Sequence, residues 1–292
     1  NLDFSTSHSY DIYCVSLRSK YKHTSSFGCL ITAATVTFSA DPKVDSKYSD
    51  QITIEQLLTH TSGLPSVSHP DVYKYLNPDL SEDALQKHIR SLASLKLTDK
   101  PSKKYSYSNV GYEVLGEVIA NVSGQMFESF MATYIFQPLL MNELTYTPGI
   151  AHDLSVALPF SGHPPVRTEQ FANDRRFTPS GNLFTNAEVL NHWMIFHLNK
   201  GFFGDYRPLS PQSFDRYVAP LVDTREDGYK SYGWFTKDTS GGNMLFHDGL
   251  DMGYSSLIVM LTKPKIGIVI LTNQQDADCN ELLNLIIRNI RF

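Results

Sequence analysis

The chain has 292 residues, 41% of them hydrophobic and 12% aromatic, enough for one large domain or two interlocked smaller ones, which excludes disorder as the main description. Lys plus Arg total 25 against 30 Asp plus Glu, a net charge of −5, and no Lys/Arg run would track phosphates or anionic lipid, so nucleic acid is not an expected partner. The longest apolar stretches, Leu257 to Leu261 and Ile266 to Leu271, fall far short of the roughly 20 residues a membrane-crossing helix needs, and Cys14, Cys29 and Cys279 are too scattered for a disulfide framework.

Asn1 stands where a Met is expected and no signal-type segment follows it, so the expectation is a processed form or a fragment, secreted or periplasmic with its signal segment absent. Asn121-Val122-Ser123 matches a glycosylation acceptor, which fits the same expectation weakly. From Ser46 to about Tyr217 apolar residues recur mostly at helical spacing, and from about Tyr232 to Thr272 they come in short β-rich bursts. Thr53-Ile54-Glu55-Gln56 predicts a capping box that opens a helix, with Gly63 as its left-handed stop. A second helix is expected from Asn109, with Val110, Val114, Leu115, Val118, Ile119 and Val122 on one stripe and its end at Gly124. A third would be capped by Thr185 and Glu188, with Val189, Leu190, Trp193 and Met194 facing inward.

Four strands are expected at Tyr232 to Phe235, Met244 to His247, Tyr254 to Leu261 and Ile266 to Leu271. A closing helix would bury Leu282, Leu283, Leu285, Ile286, Ile287 and Ile290. Short connections between successive strands favour antiparallel neighbours. The expected fold class is therefore α+β: an antiparallel sheet flanked by helices, formed by residues 1–45 and 230–292, with a mainly helical region, 46–229, inserted and the active site in the cleft between them.

Three stations carry chemistry. Ser19-Lys20-Tyr21-Lys22 holds a Ser and a Lys three apart, one helical turn, so that a neutral Lys22 amine can take the Ser19 proton; two exposed polar residues would show the same spacing. Tyr107-Ser108-Asn109 offers a phenol to relay a proton and an amide to grip a substrate carbonyl, or an aromatic loop with Asn109 as a helix cap. In His247-Asp248-Gly249-Leu250, Gly249 allows close approach of a substrate and the Leu250 amide can stabilise an oxyanion, while His247 also suits a strand end with no chemical role.

Taken in order, and with Ile52 to Pro65, Ser180 to Thr185, Tyr232-Gly233-Trp234 and Val269 to Asn273, these stations resemble the serine hydrolases of the class C beta-lactamase and penicillin-binding protein superfamily, especially its esterase-like and peptidase-like members. The resemblance implies an antiparallel sheet packed on an all-helical region. It also implies Ser19 as acyl-forming nucleophile, Lys22 as its base, Tyr107 in the proton traffic, Asn109 orienting substrate, and the amides of Ser19 and Leu250 as the oxyanion hole. His247 stands where such enzymes usually carry a Lys, and the His60 segment looks like a fold-supporting signature.

The implied function is an acyl hydrolase working through a covalent acyl-enzyme, with no cofactor or metal, on a small ester, amide or peptide substrate; small esters or D-amino-acid-type amides rank above beta-lactams because His247 removes a permanent positive charge. The alternative is a catalytically silent binding or scaffold protein, motivated by the run His23 to Cys29, which is poor in helix formers where the nucleophile helix is expected. Oligomeric state is left open.

Overall fold

The computed structural model describes residues 51–66, 78–92, 95–146, 156–168, 174–226, 228–240 and 242–289, with the backbone of one strand nearer the start. In chain order the first half contains β1 (Ile12–Ser16), α1 (Ile54–Leu58), α2 (Ala84–Ser91), α3 (Asn109–Ser123), α4 (Phe127–Met131) and the short hairpin of β2 (Phe160–Ser161) and β3 (Val166–Arg167). The second half contains α5 (Ala187–Leu198), α6 (Pro211–Val218), β4 (Val222–Asp223), β5 (Tyr229–Lys230), β6 (Phe235–Thr239), β7 (Gly242–Asp251), β8 (Tyr254–Leu261), β9 (Ile266–Thr272) and α7 (Cys279–Asn289).

The main sheet has seven strands in the order β1-β9-β8-β7-β6-β5-β4. From β4 to β9 it is a meander of antiparallel neighbours, as short connections dictate, and β1 docks parallel to β9 beyond the meander, Ile12 opposite Gly267. The result is the expected α+β architecture of an antiparallel sheet flanked by helices.

The central strands are buried on both faces, which explains why β8 and β9 read as continuous apolar runs rather than as alternating ones. Leu257, Val259, Ile266, Ile268 and Ile270 pack with Cys279 and Ile286 of α7. Ile258, Met260, Val269 and Leu271 point the other way, into a larger core with Trp193 and Met194 of α5, Leu57 and Leu58 of α1 and Leu115 of α3. At Gly253, in the two-residue turn between β7 and β8, a Cβ would lie 2.1 Å from Pro159 Cβ, so the segment before β2 crosses the turn only because glycine is there.

Local expectations hold where they rest on a single cap and shift where the tertiary environment intervenes. The Thr53 capping box forms, with Thr53 N–H donating to Gln56 Oε1 at 2.8 Å and Gln56 N–H to Thr53 Oγ1 at 3.2 Å. α1 ends sooner than expected: His60 just after it is left-handed at φ +56°, and Gly63, left-handed as expected at φ +79°, comes three residues later. α5 is capped by Asn186, whose Oδ1 accepts from Val189 N–H at 2.8 Å, and not by Thr185. α3 starts at Asn109 and stops at a left-handed Gly124 as expected, but its first two turns are buried all round while Val122 is 79% exposed, so it has no single stripe. In α7, Leu285 and Ile287 are exposed and Ile286 is buried; Ile290 lies outside the described residues.

The stretch expected as a strand from Tyr232 is instead the turn between β5 and β6. Lys230 pairs with Phe235, Ser231 N–H donates to the Trp234 carbonyl at 2.8 Å, and Gly233 takes φ +89°. Trp234, fully buried, closes a polar chain through the core: its indole N–H donates to Tyr217 Oη at 3.0 Å, that hydroxyl donates to His197 Nε2 at 3.1 Å, and His197 Nδ1–H donates to the Trp193 carbonyl at 2.8 Å. Burial pushes the His197 imidazole down to about 3, so it stays neutral in that chain.

Candidate active site

One wall of the candidate site is a loop held on another loop. Segment 59–65 follows α1, and segment 105–109 runs into α3 across it. The His60 carbonyl accepts the Ser106 N–H at 2.8 Å, the Thr61 carbonyl accepts the Ser102 N–H at 2.8 Å, and Ser108 Oγ donates to the Pro65 carbonyl at 2.9 Å. Ser108 also caps α3, its Oγ accepting from Gly111 N–H at 3.3 Å, so Asn109 is free of the capping duty and sits half-buried as the first helical residue.

His60 is the centre of this wall. Its Nδ1 accepts the Ser108 N–H at 3.1 Å, and its ring stacks on Tyr107 at 4.2 Å and on Tyr112 at 5.0 Å between centroids. With Nδ1 occupied as acceptor, the proton of the neutral ring is on Nε2, which has no hydrogen-bond partner among the described residues. Burial, then Lys230 and His247, push the His60 imidazole well below the ordinary value. A left-handed backbone, a buried ring and one accepted N–H together orient Tyr107.

The other wall is β7. His247 is buried in the strand, its ring centroid 6.4 Å from that of Tyr107 and 5.4 Å from that of Phe235. Nδ1–H donates to the Asp248 carbonyl at 2.5 Å, leaving Nε2 as the acceptor nitrogen. Burial, reinforced by Lys230, brings its imidazole down to about 3, so His247 is a neutral base in this setting. Gly249 and Leu250 follow on the same strand, pairing with Ser256 and Ser255 of β8, and the Leu250 side chain is 58% exposed.

The structure thus brings Tyr107 and His247 together, with Asn109 two residues after Tyr107 at the start of α3 and Gly249 and Leu250 along the strand from His247. Ser19 and Lys22 lie outside the described residues. Sequence reasoning missed Lys230, on β5, which is fully buried with its Nζ 5.8 Å from the Tyr107 ring centroid and 3.9 Å from that of Phe235. Its one signal was its place in an aromatic stretch just before Tyr232-Gly233-Trp234, and local pattern does not tell a buried strand lysine from an exposed one. The Ser180 to Thr185 signature is a fastening away from this cluster: Ser180 Oγ donates to Glu113 Oε1 at 2.9 Å, and Glu113 Oε2 lies 2.8 Å from His88 Nε2, joining α2, α3 and the loop before α5.

A family profile described as Beta-lactamase matches residues 37–290. The chain belongs to the beta-lactamase family. Among curated relatives, Protein flp of Staphylococcus aureus (strain MW2) is 31% identical over 229 residues, which cover 77% of this chain and 44% of that protein, so the chain spans less than half the length of that relative. Among solved structures, a penicillin binding protein from Bacillus halodurans superposes with a TM-score of 0.70 at 20% identity, covering 86% of this chain and 76% of that one. A D-stereospecific amidohydrolase from Streptomyces sp. gives 0.65 at 20% identity, covering 81% and 72%. The expected family and fold are both borne out. Among the described residues no helix is long and apolar enough to cross a membrane.

Proposed function

We propose that this beta-lactamase family chain is a serine acyl hydrolase acting through a covalent acyl-enzyme on a small ester or amide. The observation that carries this is the meeting of Tyr107 and His247, 140 residues apart in sequence, at 6.4 Å across two independently built walls. In the reaction, Ser19 Oγ attacks the substrate carbonyl as Lys22 takes its proton, and the oxyanion formed is held by the backbone N–H groups of Ser19 and Leu250. The proton passes by way of Lys22 and Tyr107 to the leaving alcohol or amine, the C–O or C–N bond breaks, and water then cleaves the acyl-Ser19 ester with the proton returning along the same groups. Asn109 orients the substrate carbonyl and Gly249 lets it approach the strand.

Small esters and D-amino-acid-type amides rank above beta-lactams. His247 is a neutral imidazole and offers a substrate carboxylate no permanent charge, and the solved amidohydrolase named above is D-stereospecific by its own description. The cleft between the sheet and the helical region is the assigned binding place.

A silent binding protein is the second reading, favoured by the low helix propensity of His23 to Cys29 around the nucleophile. Intact-mass analysis after incubation with a fluorophosphonate probe and, separately, a penicillin separates the two. A probe adduct on the wild type that is lost in Ser19→Ala supports the hydrolase, and a penicillin adduct beside it moves lactams up the ranking. No adduct from either reagent on folded protein overturns the hydrolase in favour of the silent member.

A further inference from the structure

Lys230 is used by none of these steps. Lysine is almost never fully buried without a paired charge, yet Lys230 has 0% exposure and its Nζ has one hydrogen-bond acceptor among the described residues, the Gly233 carbonyl at 3.3 Å. Two aromatic rings stand near the same amine, that of Phe235 with its centroid at 3.9 Å and that of Tyr107 at 5.8 Å. A methionine of similar length would fill the same space without desolvating an amine, so the group is destabilising where it stands. Costly buried groups of this kind gather at functional sites.

We propose that Lys230 is a positioning residue of the acyl-transfer site, its amine against the Tyr107 and Phe235 rings acting as the cation that steers proton transfer at Tyr107 and His247. The proposal rests on the reading that Tyr107 and His247 serve acyl transfer. A positive charge near the Tyr107 ring is placed to stabilise the negative charge that develops on its phenol oxygen as the proton is relayed. Burial keeps both nearby imidazoles, His247 and His60, from protonating, and the same charge reinforces it, so that His247 Nε2 stays an acceptor. His247 replaces an expected lysine on β7, and Lys230 returns an amine to the same space from β5.

Among the described residues, the titratable groups acting on or acted on by Lys230 are Tyr107 ahead of α3, His60 after α1, and His247 and Asp248 on β7; β6 contributes the uncharged Phe235. Burial brings the Lys230 amine down to about 7, with the exposed Asp248 opposing that fall. The amine therefore changes charge across neutral pH, and its titration is the signature to look for. Folded and unfolded amines differ between about 7 and the ordinary 10.5, so its charging lowers stability as pH falls through that window and Lys230→Met abolishes this slope.

The test compares the wild type with Lys230→Met and Lys230→Ala. With a nitrophenyl ester, Lys230→Met lowers kcat about tenfold or more while KM stays within about threefold, and the limb of the pH profile near neutrality disappears. In Lys230→Ala, n-butylamine restores kcat and n-butanol, of the same bulk, does not. Lys230→Met is also at least as stable as the wild type at pH 7 by urea midpoint, the opposite of what a merely structural lysine predicts. An unchanged kcat and pH profile, or equal rescue by the alcohol, overturns the proposal.

If the wild type turns over no ester or amide, the acyl-hydrolase reading fails by itself, and two further readouts still decide Lys230. The nitrogen-15 titration of His247 moves upward in Lys230→Met, and in the wild type the Lys230 Cε resonance titrates near neutrality. A His247 titration unmoved by the substitution, or a Lys230 that titrates as an exposed lysine, rejects it.

Discussion

The two walls of the site are held by different physics. The β7 wall is the central strand of a seven-stranded sheet, fourth from either edge, fastened on both sides by ladders of backbone hydrogen bonds to β6 and β8. The loop wall, segment 105–109, has no ladder; it hangs on individual bonds to segment 59–65 and on the stack of His60 against Tyr107 and Tyr112. A sheet loses its geometry cooperatively, with the whole domain, whereas a loop held by single bonds loses it piecemeal. Changes to the first wall should register as stability, and changes to the second as activity.

Acid acts on both walls at once and has the largest expected effect. His247 and His197 have folded values of about 3 against the ordinary 6.5, so the neutral folded form is fully stable above pH 6.5 and loses that advantage as pH falls toward 3. His60, lowered in the same direction, adds to the trend. The urea midpoint should therefore fall steadily between pH 7 and pH 4, and His197→Phe should flatten the curve; a midpoint level across that range would contradict buried neutral imidazoles.

Next in size is Ile258→Ala in the sheet wall, where a fully buried side chain at the centre of β8 leaves a cavity worth about 2–5 kcal/mol. Calorimetry should show the loss, with kcat on the remaining folded protein close to that of the wild type. The converse case is His60→Phe, which keeps an aromatic ring against Tyr107 but removes the acceptor of the Ser108 N–H, a loss of roughly 1–3 kcal/mol. Here kcat should fall by a larger factor than in Ile258→Ala despite the smaller change in melting temperature. If the two variants rank the same way in both readouts, the contrast between walls is wrong. The smallest effect is Thr53→Ala, which removes the capping box of α1 at about 1 kcal/mol and should leave kcat nearly unchanged.

Parts of the site were legible in the sequence because they depend on residue type at fixed spacing. Tyr107-Ser108-Asn109 and His247-Asp248-Gly249 were found as words, and the structure brings them within one cluster. The caps were half legible: Thr53 is flanked by its own partner Gln56, while Asn186 displaced Thr185 because the helix begins one residue later than its pattern suggests. Lys230 was not legible, since a strand lysine shows its burial only when the faces of β5 and β6 are assigned.

By itself, then, the sequence determined what depends on neighbours along the chain: the meander of β7 to β9, the helices opening at Thr53 and Asn109, and the short chemical words. Tertiary structure alone decided which residues became neighbours across it. It docked β1 against β9 in parallel, put His60 in a left-handed conformation beneath Tyr107, and turned Lys230 inward toward the same ring. Those placements follow from long-range packing and desolvation, whose energies depend on what fills the space around a side chain and not on the residues beside it in the chain.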